Sequence, residues 1–327
     1  FKALEGSSIV IEAVIEDMAV KKQVLSEASR NVDSDAILAS NTSSLSITEL
    51  ADNLEKPERV LGMHFFNPAE KMPLVEIVKG EKSSERAISH TAALTSMLGK
   101  FPIVVNNVPG FLVNRILTPY LVEASHLLSE GHSIVSIDSA ALDFGMPMGP
   151  FRLLDEVGLD VAAKVSAVLE EGYGDRMSGP TYAEQLVSLK RMGKKSGKGF
   201  YIYQGRSSST DSELSSILQL PESPQQPLSS KELANRLVLR LVNEAVCCLD
   251  EGVCSGDPRE AAGQVDLGSV MGIGFAPFRG GIIYYAEQIG AKELHKRLSD
   301  LSKKHGDRYS PSPGIIRRAE SNSSFYA

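Results

Sequence analysis

Short, nearly unbroken apolar runs alternate with mixed segments over the first hundred residues. SSIVIEAVIED (7–17), DAILASN (35–41) and RVLGMHFF (59–66) have the Ile, Val and Leu density of strands buried on both faces. Between them, MAVKKQVLSEASRNV (18–32) has the spacing of an amphipathic helix with Val20, Val24 and Leu25 on one side, and ITELADNL (47–54) opens another. Strand–helix–strand–helix–strand with such strands predicts an α/β protein built on a parallel sheet. Pro68 and Pro73 interrupt the chain after the third run, and LVEIV (74–78) resumes in extended form. Helix predominates after residue 80. The pattern predicts helices over 85–100, 110–131 (with Pro119 a kink), 134–143, 151–171 and 181–192, a strand over 101–107, and a short extended piece at FYIY (200–203).

The stretch 204–230 holds nine Ser and three Pro in 27 residues, a composition that reads as a linker. Apolar helices resume at 231, and across this stretch lies an internal repeat. NRILTPYLVEASHLLSEG (114–131) aligns without gaps with NRLVLRLVNEAVCCLDEG (235–252) at an offset of 121 residues, and Pro-Phe-Arg recurs at 150–152 and 277–279. Two copies suggest a duplicated helical domain rather than a solenoid. The expected organisation is therefore a sheet domain over 1–107, a helical domain over 108–203, a linker over 204–230 and a degenerate second helical copy over 231–327.

Polar groups collect where the predicted strands end. Glu16, Asn41, Ser43 and His64 all fall at carboxyl ends, the edge at which parallel α/β sheets bind ligands. His64 is followed twelve residues later by Glu76, set between Val75 and Ile77. A strand, a turn at the two prolines and a return strand bring such residues within side-chain reach. A half-buried carboxylate there fixes the imidazole tautomer and leaves the other ring nitrogen free to take a proton, as a general base requires. A structural histidine satisfied by a neighbour is the plainer alternative; the Glu, Asn67 and the Ser43 loop weigh against it.

The formal net charge is −7, and no Lys/Arg cluster carries interleaved aromatics, so nucleic acid is not an expected partner. No apolar run reaches membrane-spanning length. Cys247, Cys248 and Cys254 are crowded on or beside one helix, which fits packing roles in a reducing compartment better than disulfides. Pairing Cys247 and Cys248 with His126 or His132 gives no metal-ligand spacing, and no metal is expected.

The motifs SNTSSL (40–45), HFFNP (64–68), PLVEIV (73–78) and NVPGFLVNR (107–115), in this order and spacing, resemble the L-3-hydroxyacyl-CoA dehydrogenases of fatty-acid β-oxidation. The resemblance implies that His64 is the catalytic base, Glu76 its partner, and Ser43 and Asn114 the groups near the reacting oxygens of an acyl-CoA substrate. It implies NAD as cofactor, contacted by Glu16, Lys21, Asn41, Ser43, Asn67 and Lys195. Without the resemblance, Lys21 reads as a solvated helix residue and Lys195 as part of a basic turn.

The pattern departs from the family at the start. A dinucleotide fold opens with a strand, a G-x-G-x-x-G loop and a helix, and nothing before the run at 7–12 supplies one; GIGFAP (272–277) has Pro where the third glycine belongs. The expectation is a partial Rossmann-type sheet lacking its N-terminal half, within a longer polypeptide that also carries an enoyl-CoA hydratase region. The second helical copy is expected to pack on the first as an intramolecular pseudo-dimer, taking the place a partner subunit holds in dimeric relatives. Two other readings stay open: a catalytically silent binding or scaffolding relative, and another hydroxy-acid dehydrogenase of the same build.

Overall fold

The apolar runs form the strands, trimmed at their ends. A computed structural model describes residues 2–327, and its sheet portion runs β1 (Ile9–Glu12), α1 (Met18–Ser29), β2 (Ile37–Ser40), α2 (Ile47–Ala51), β3 (Val60–Phe65), β4 (Leu74–Lys79), α3 (Glu85–Met97) and β5 (Phe101–Asn106). β1 stops at Glu12 because that side chain turns back to accept the amide of Val14 (3.1 Å), drawing the backbone out of the sheet. Each helix starts at a polar residue whose side chain accepts an amide in the first turn: Asp17 for α1, Ser46 for α2 and Ser84 for α3.

The strands lie in the order β1-β2-β3-β4-β5. β1, β2 and β3 are parallel, as are β4 and β5, but β3 and β4 are antiparallel, so the sheet is mixed rather than wholly parallel. The break between Phe65 and Leu74 is too short for a parallel crossover, which takes a dozen or more residues. Ile37, Ala39, Leu61, Met63, Val75 and Ile77 form a core with Ala87 and Ile88 of α3. Gly62 lets α2 approach closely: a Cβ there would stand 2.9 Å from Ile47 Cδ1 and 2.8 Å from Val78 Cβ.

The helical portion runs α4 (Val113–Ser129), α5 (Ile134–Phe144), α6 (Pro150–Val157), α7 (Leu159–Tyr173), α8 (Tyr182–Ser188), β6 (Tyr201–Gln204), β7 (Ser207–Thr210), α9 (Leu214–Ile217), α10 (Ser230–Asp250), α11 (Pro258–Gly268), a π-helical turn (Ser269–Ile273), α12 (Ile282–Ile289), α13 (Ala291–His305) and α14 (Pro313–Ser321). Two expectations fail here. The helix anticipated over 151–171 is two, parted by Gly158 at φ +100°, a conformation an L side chain rarely adopts. The stretch read as a linker carries structure: β7 pairs with β6, Asp211 holds Arg191 at 2.7 Å, and Leu214 and Leu218 are buried. Composition undercounted it because so few side chains anchor it.

The chain divides into two compact units. The first runs through Val113 and takes in Cys248–Gly272. There, Asn106 donates its amide to Val253 O (2.8 Å), Ser255 donates to Val104 O (3.3 Å), and Gln264 of α11 accepts the amide of Val104 (2.9 Å). The segment 253–264 thus covers the β5 edge, which an open sheet leaves unpaired.

The second unit holds Asn114–Cys247 and Ile273–Phe325. Within it the repeat is visible in the ion pairs. Arg115 Nε donates to Glu244 Oε1 at 2.8 Å, and Arg236 Nε donates to Glu123 Oε1 at 2.8 Å. Arg115 and Glu123 are the offset-121 equivalents of Arg236 and Glu244, so each copy supplies the arginine to the other's glutamate. A similar contact recurs outside the aligned segments. Asp155 accepts the amide of Phe200 (2.9 Å), and Glu287 accepts that of Phe325 (2.7 Å), each Phe being followed by Tyr.

Arg236 and Glu123 are almost fully buried. Arg308 Nε also donates to Glu123 (2.9 Å) and Arg236 also donates to Glu130 (2.7 Å), so removing Arg236 leaves two carboxylates facing one guanidinium. Arg236→Met is expected to cost about 3–5 kcal/mol of stability in urea denaturation followed by circular dichroism. Arg236→Met combined with Glu123→Met is expected to recover most of that loss.

Candidate active site

The antiparallel register of β3 and β4 sets His64 directly opposite Glu76. His64 Nδ1 lies 2.7 Å from Glu76 Oε2, with the carboxylate fully buried and the imidazole nearly so. A carboxylate accepts, so Nδ1 carries the proton in this contact and Nε2 keeps its lone pair. The other carboxylate oxygen, Oε1, accepts the amides of Leu112 and Val113, each at 3.0 Å. Those amides belong to the start of α4, where the helix dipole favours negative charge. Phe111, at φ +52°, turns the chain so that the two amides face the carboxylate. Its ring meets the imidazole edge-on at 5.7 Å, and Phe66 flanks it at 4.6 Å. The imidazole is thus held by a carboxylate and two rings. Nearby, burial and the charge of Glu76 push the Cys254 thiol up to about 12, which keeps it protonated and inert.

A second polar cluster lies at the ends of β1 and β2. Lys21 is fully buried in α1, with its ammonium 3.1 Å from Glu12, 3.2 Å from Val14 O and 3.5 Å from Glu16. It is not the solvated helix residue that its position in a mixed segment suggests; Glu12, inside the strand nine residues earlier, supplies the counter-charge. Glu12 also accepts a hydrogen bond from Ser40. Glu16 gathers the hydroxyl of Thr42 (2.6 Å) and the amides of Ser43 (2.9 Å) and Ser44 (3.1 Å). Asn41 Oδ1 accepts the amide of Phe65 (3.0 Å), tying the end of β2 to the end of β3.

Of the residues singled out from the sequence, Glu16, Lys21, Asn41, Ser43, His64 and Glu76 therefore belong to the carboxyl-end edge of one sheet and its return strand. Asn67 is exposed just beyond β3. Asn114 and Lys195 belong to the other unit, Asn114 in the first turn of α4 and Lys195 in an ion pair with Asp160. Sequence reasoning passed over Glu12 and Phe111. Glu12 carried a usable signal, an acid inside an otherwise apolar strand with a lysine nine residues on; Phe111 is an ordinary core residue until its neighbours are known.

The residues present fit one end of a dinucleotide better than the other. The Glu16 carboxylate and the amides and hydroxyls of the 41–45 loop are neutral or acidic groups suited to a ribose or a carboxamide. Among the described residues no strand leads through a glycine loop into a helix, the arrangement that cradles a pyrophosphate.

Comparison with known proteins identifies the family. Residues 1–108 match the family model of the 3-hydroxyacyl-CoA dehydrogenase NAD binding domain, and residues 110–203 match that of the C-terminal domain. The fatty acid oxidation complex subunit alpha of Vibrio parahaemolyticus is 44% identical over 326 residues, covering 100% of this chain and 45% of that protein. The chain thus spans about half the length of the curated relatives it matches. Among solved structures, the 3-hydroxybutyryl-CoA dehydrogenase of Escherichia coli superposes with a TM-score of 0.83 at 27% identity, over 98% of this chain and 83% of that one. The (S)-3-hydroxybutyryl-CoA dehydrogenase of Ralstonia eutropha is 40% identical over 62% of this chain and 73% of its own, with a TM-score of 0.60. On the matched models, the shared fold and the sequence identity, the chain belongs to the 3-hydroxyacyl-CoA dehydrogenase family.

Proposed function

We propose that the polypeptide containing this chain oxidises (3S)-3-hydroxyacyl-CoA to 3-oxoacyl-CoA with NAD in fatty-acid β-oxidation, and that His64 is its general base. The observation that carries this reading is the 2.7 Å contact between His64 Nδ1 and the buried Glu76, which leaves Nε2 as the basic nitrogen. In the oxidation, Nε2 takes the C3 hydroxyl proton as the C3–O single bond becomes a carbonyl. The imidazolium so formed is stabilised by the Glu76 carboxylate against it. NAD, when bound, supplies the hydride acceptor. Ser43 and Asn114 are neutral groups suited to hold the C3 oxygen or the thioester carbonyl, and in reverse the protonated His64 polarises the ketone. Glu16, Lys21, Asn41, Ser43, Asn67 and Lys195 are assigned to the cofactor; for Glu16, Asn41 and Ser43 the support is their place at the strand ends, and for Lys195 it is the family resemblance alone.

The second helical copy serves as an intramolecular substitute for a partner subunit. The supporting observation is the exchanged pair of ion pairs, Arg115–Glu244 and Arg236–Glu123. A two-fold arrangement makes residue i of one half meet j of the other while j meets i. An enoyl-CoA hydratase region elsewhere in the polypeptide completes the reading. No helix among the described residues is long and apolar enough to cross a membrane.

The test is acetoacetyl-CoA-dependent oxidation of NADH by the complete polypeptide. His64→Gln is expected to lower turnover by about 10²–10⁴-fold; equal activity in variant and wild type overturns the assignment of the base, and inactivity of both favours a silent relative. Glu76→Gln presents an amide N–H₂ to Nδ1 and shifts the ring proton to Nε2. It is expected to lower kcat by a similar ~10²–10⁴-fold with little change in KM, read from the same assay over a range of acetoacetyl-CoA concentrations.

A further inference from the structure

The second helical copy has no sheet domain of its own, yet α11 and the turn after it through Gly272 belong to the same unit as His64 and Glu76. Two glycines four residues apart make the approach. A Cβ on Gly268 would stand 2.8 Å from Leu112 Cδ2 and 3.1 Å from Ile103 Cδ1. On Gly272 it would stand 2.8 Å from Val113 Cγ2, 3.2 Å from Val113 Cγ1 and 2.8 Å from Leu74 Cδ2. Leu112 and Val113 are the two residues whose amides hold Glu76 Oε1. Each glycine therefore backs one of the two donors that fix the carboxylate, and the carboxylate fixes the imidazole.

We propose that Gly268 and Gly272 are positioning residues for the His64–Glu76 pair, so that the second helical copy tunes the base as well as standing in for a subunit. The inference rests on the reading of His64 as the base. Both flanking residues are fully or almost fully buried and have little room to retreat. They differ in how they answer a push. The Leu112 methyl is the far end of a side chain with two rotatable bonds, whereas Val113 is β-branched and stiff at χ1. Displacement at Gly272 thus passes into the Val113 backbone and its N–H; displacement at Gly268 is largely absorbed. Gly263, on the same helix, faces open space and serves as the control.

The experiment uses the complete polypeptide, with kcat and KM for acetoacetyl-CoA at saturating NADH. Titration of His64 by NMR of ring-labelled histidine, assigned with His64→Gln, is read alongside. Gly272→Ala is expected to lower kcat by about 10-fold, a fraction of what a full 1 Å misplacement costs, with KM changed by less than about two-fold, and to shift the His64 titration. Gly268→Ala is expected to do the same more weakly, and Gly263→Ala to change neither. Adding Val113→Ala to Gly272→Ala removes the Cγ contacts and is expected to restore most of the lost turnover. The proposal is overturned by an unchanged kcat and titration in Gly272→Ala, by a KM that rises in step with the fall in kcat, or by a loss that Val113→Ala does not relieve. Should Gly272→Ala alone fail to fold, an unshifted His64 titration in Gly268→Ala overturns it equally. Wild-type turnover in His64→Gln would instead sink the assignment of the base, while the titration still reports whether the glycines position the ring.

Discussion

A carboxylate with no exposure to water has to find all its partners inside the protein, and Glu76 finds three: one imidazole nitrogen and two backbone amides. An ionised carboxylate buried without such donors is prohibitively costly, so these contacts constrain everything that supplies them. The β3/β4 register must hold, because a slip of one residue would turn His64 to the opposite face. The chain must turn at Phe111 and begin a helix at Val113. His64, the return strand and the start of α4 are consequently set by one another rather than independently placed.

Much of this was legible because the determinants are local. Apolar runs gave the strands, Pro68 and Pro73 marked the turn, and twelve residues of separation across it implied that His64 and Glu76 could meet. The antiparallel step within the sheet followed from the same short connection. What escaped the sequence depended on partners far along the chain. Lys21 looked solvated because its counter-charge, Glu12, was hidden in a strand; only the strand–helix packing brings them together. Gly158 sits in a run whose spacing is helical on both sides, so periodicity could not show that its backbone departs from the helix. The Ser-rich stretch after Gln204 seemed unable to fold because its anchors are few: a pair of leucines, an aspartate on Arg191 and a strand-to-strand ladder.

The two helical segments that align at an offset of 121 residues keep some groups in common and not others. Kept in both are the Arg and Glu of each long helix, which pair across, and an acid that receives the amide of a Phe followed by Tyr. Absent from the second copy is the Pro-Gly-Phe lead-in that, in the first, delivers two amides to Glu76.

The chain after Cys247 is under a different constraint where it joins the sheet unit. The stretch from Cys248 to Gly272 runs along β5 and then against the Leu112–Val113 turn. Side chains at that contact are limited by packing density, since interiors leave no slack for an added methyl. Glycine at 268 and 272 meets that limit by removing the side chain altogether. A region that looks degenerate by its missing motifs is thereby held to close tolerance by the carboxylate it never touches.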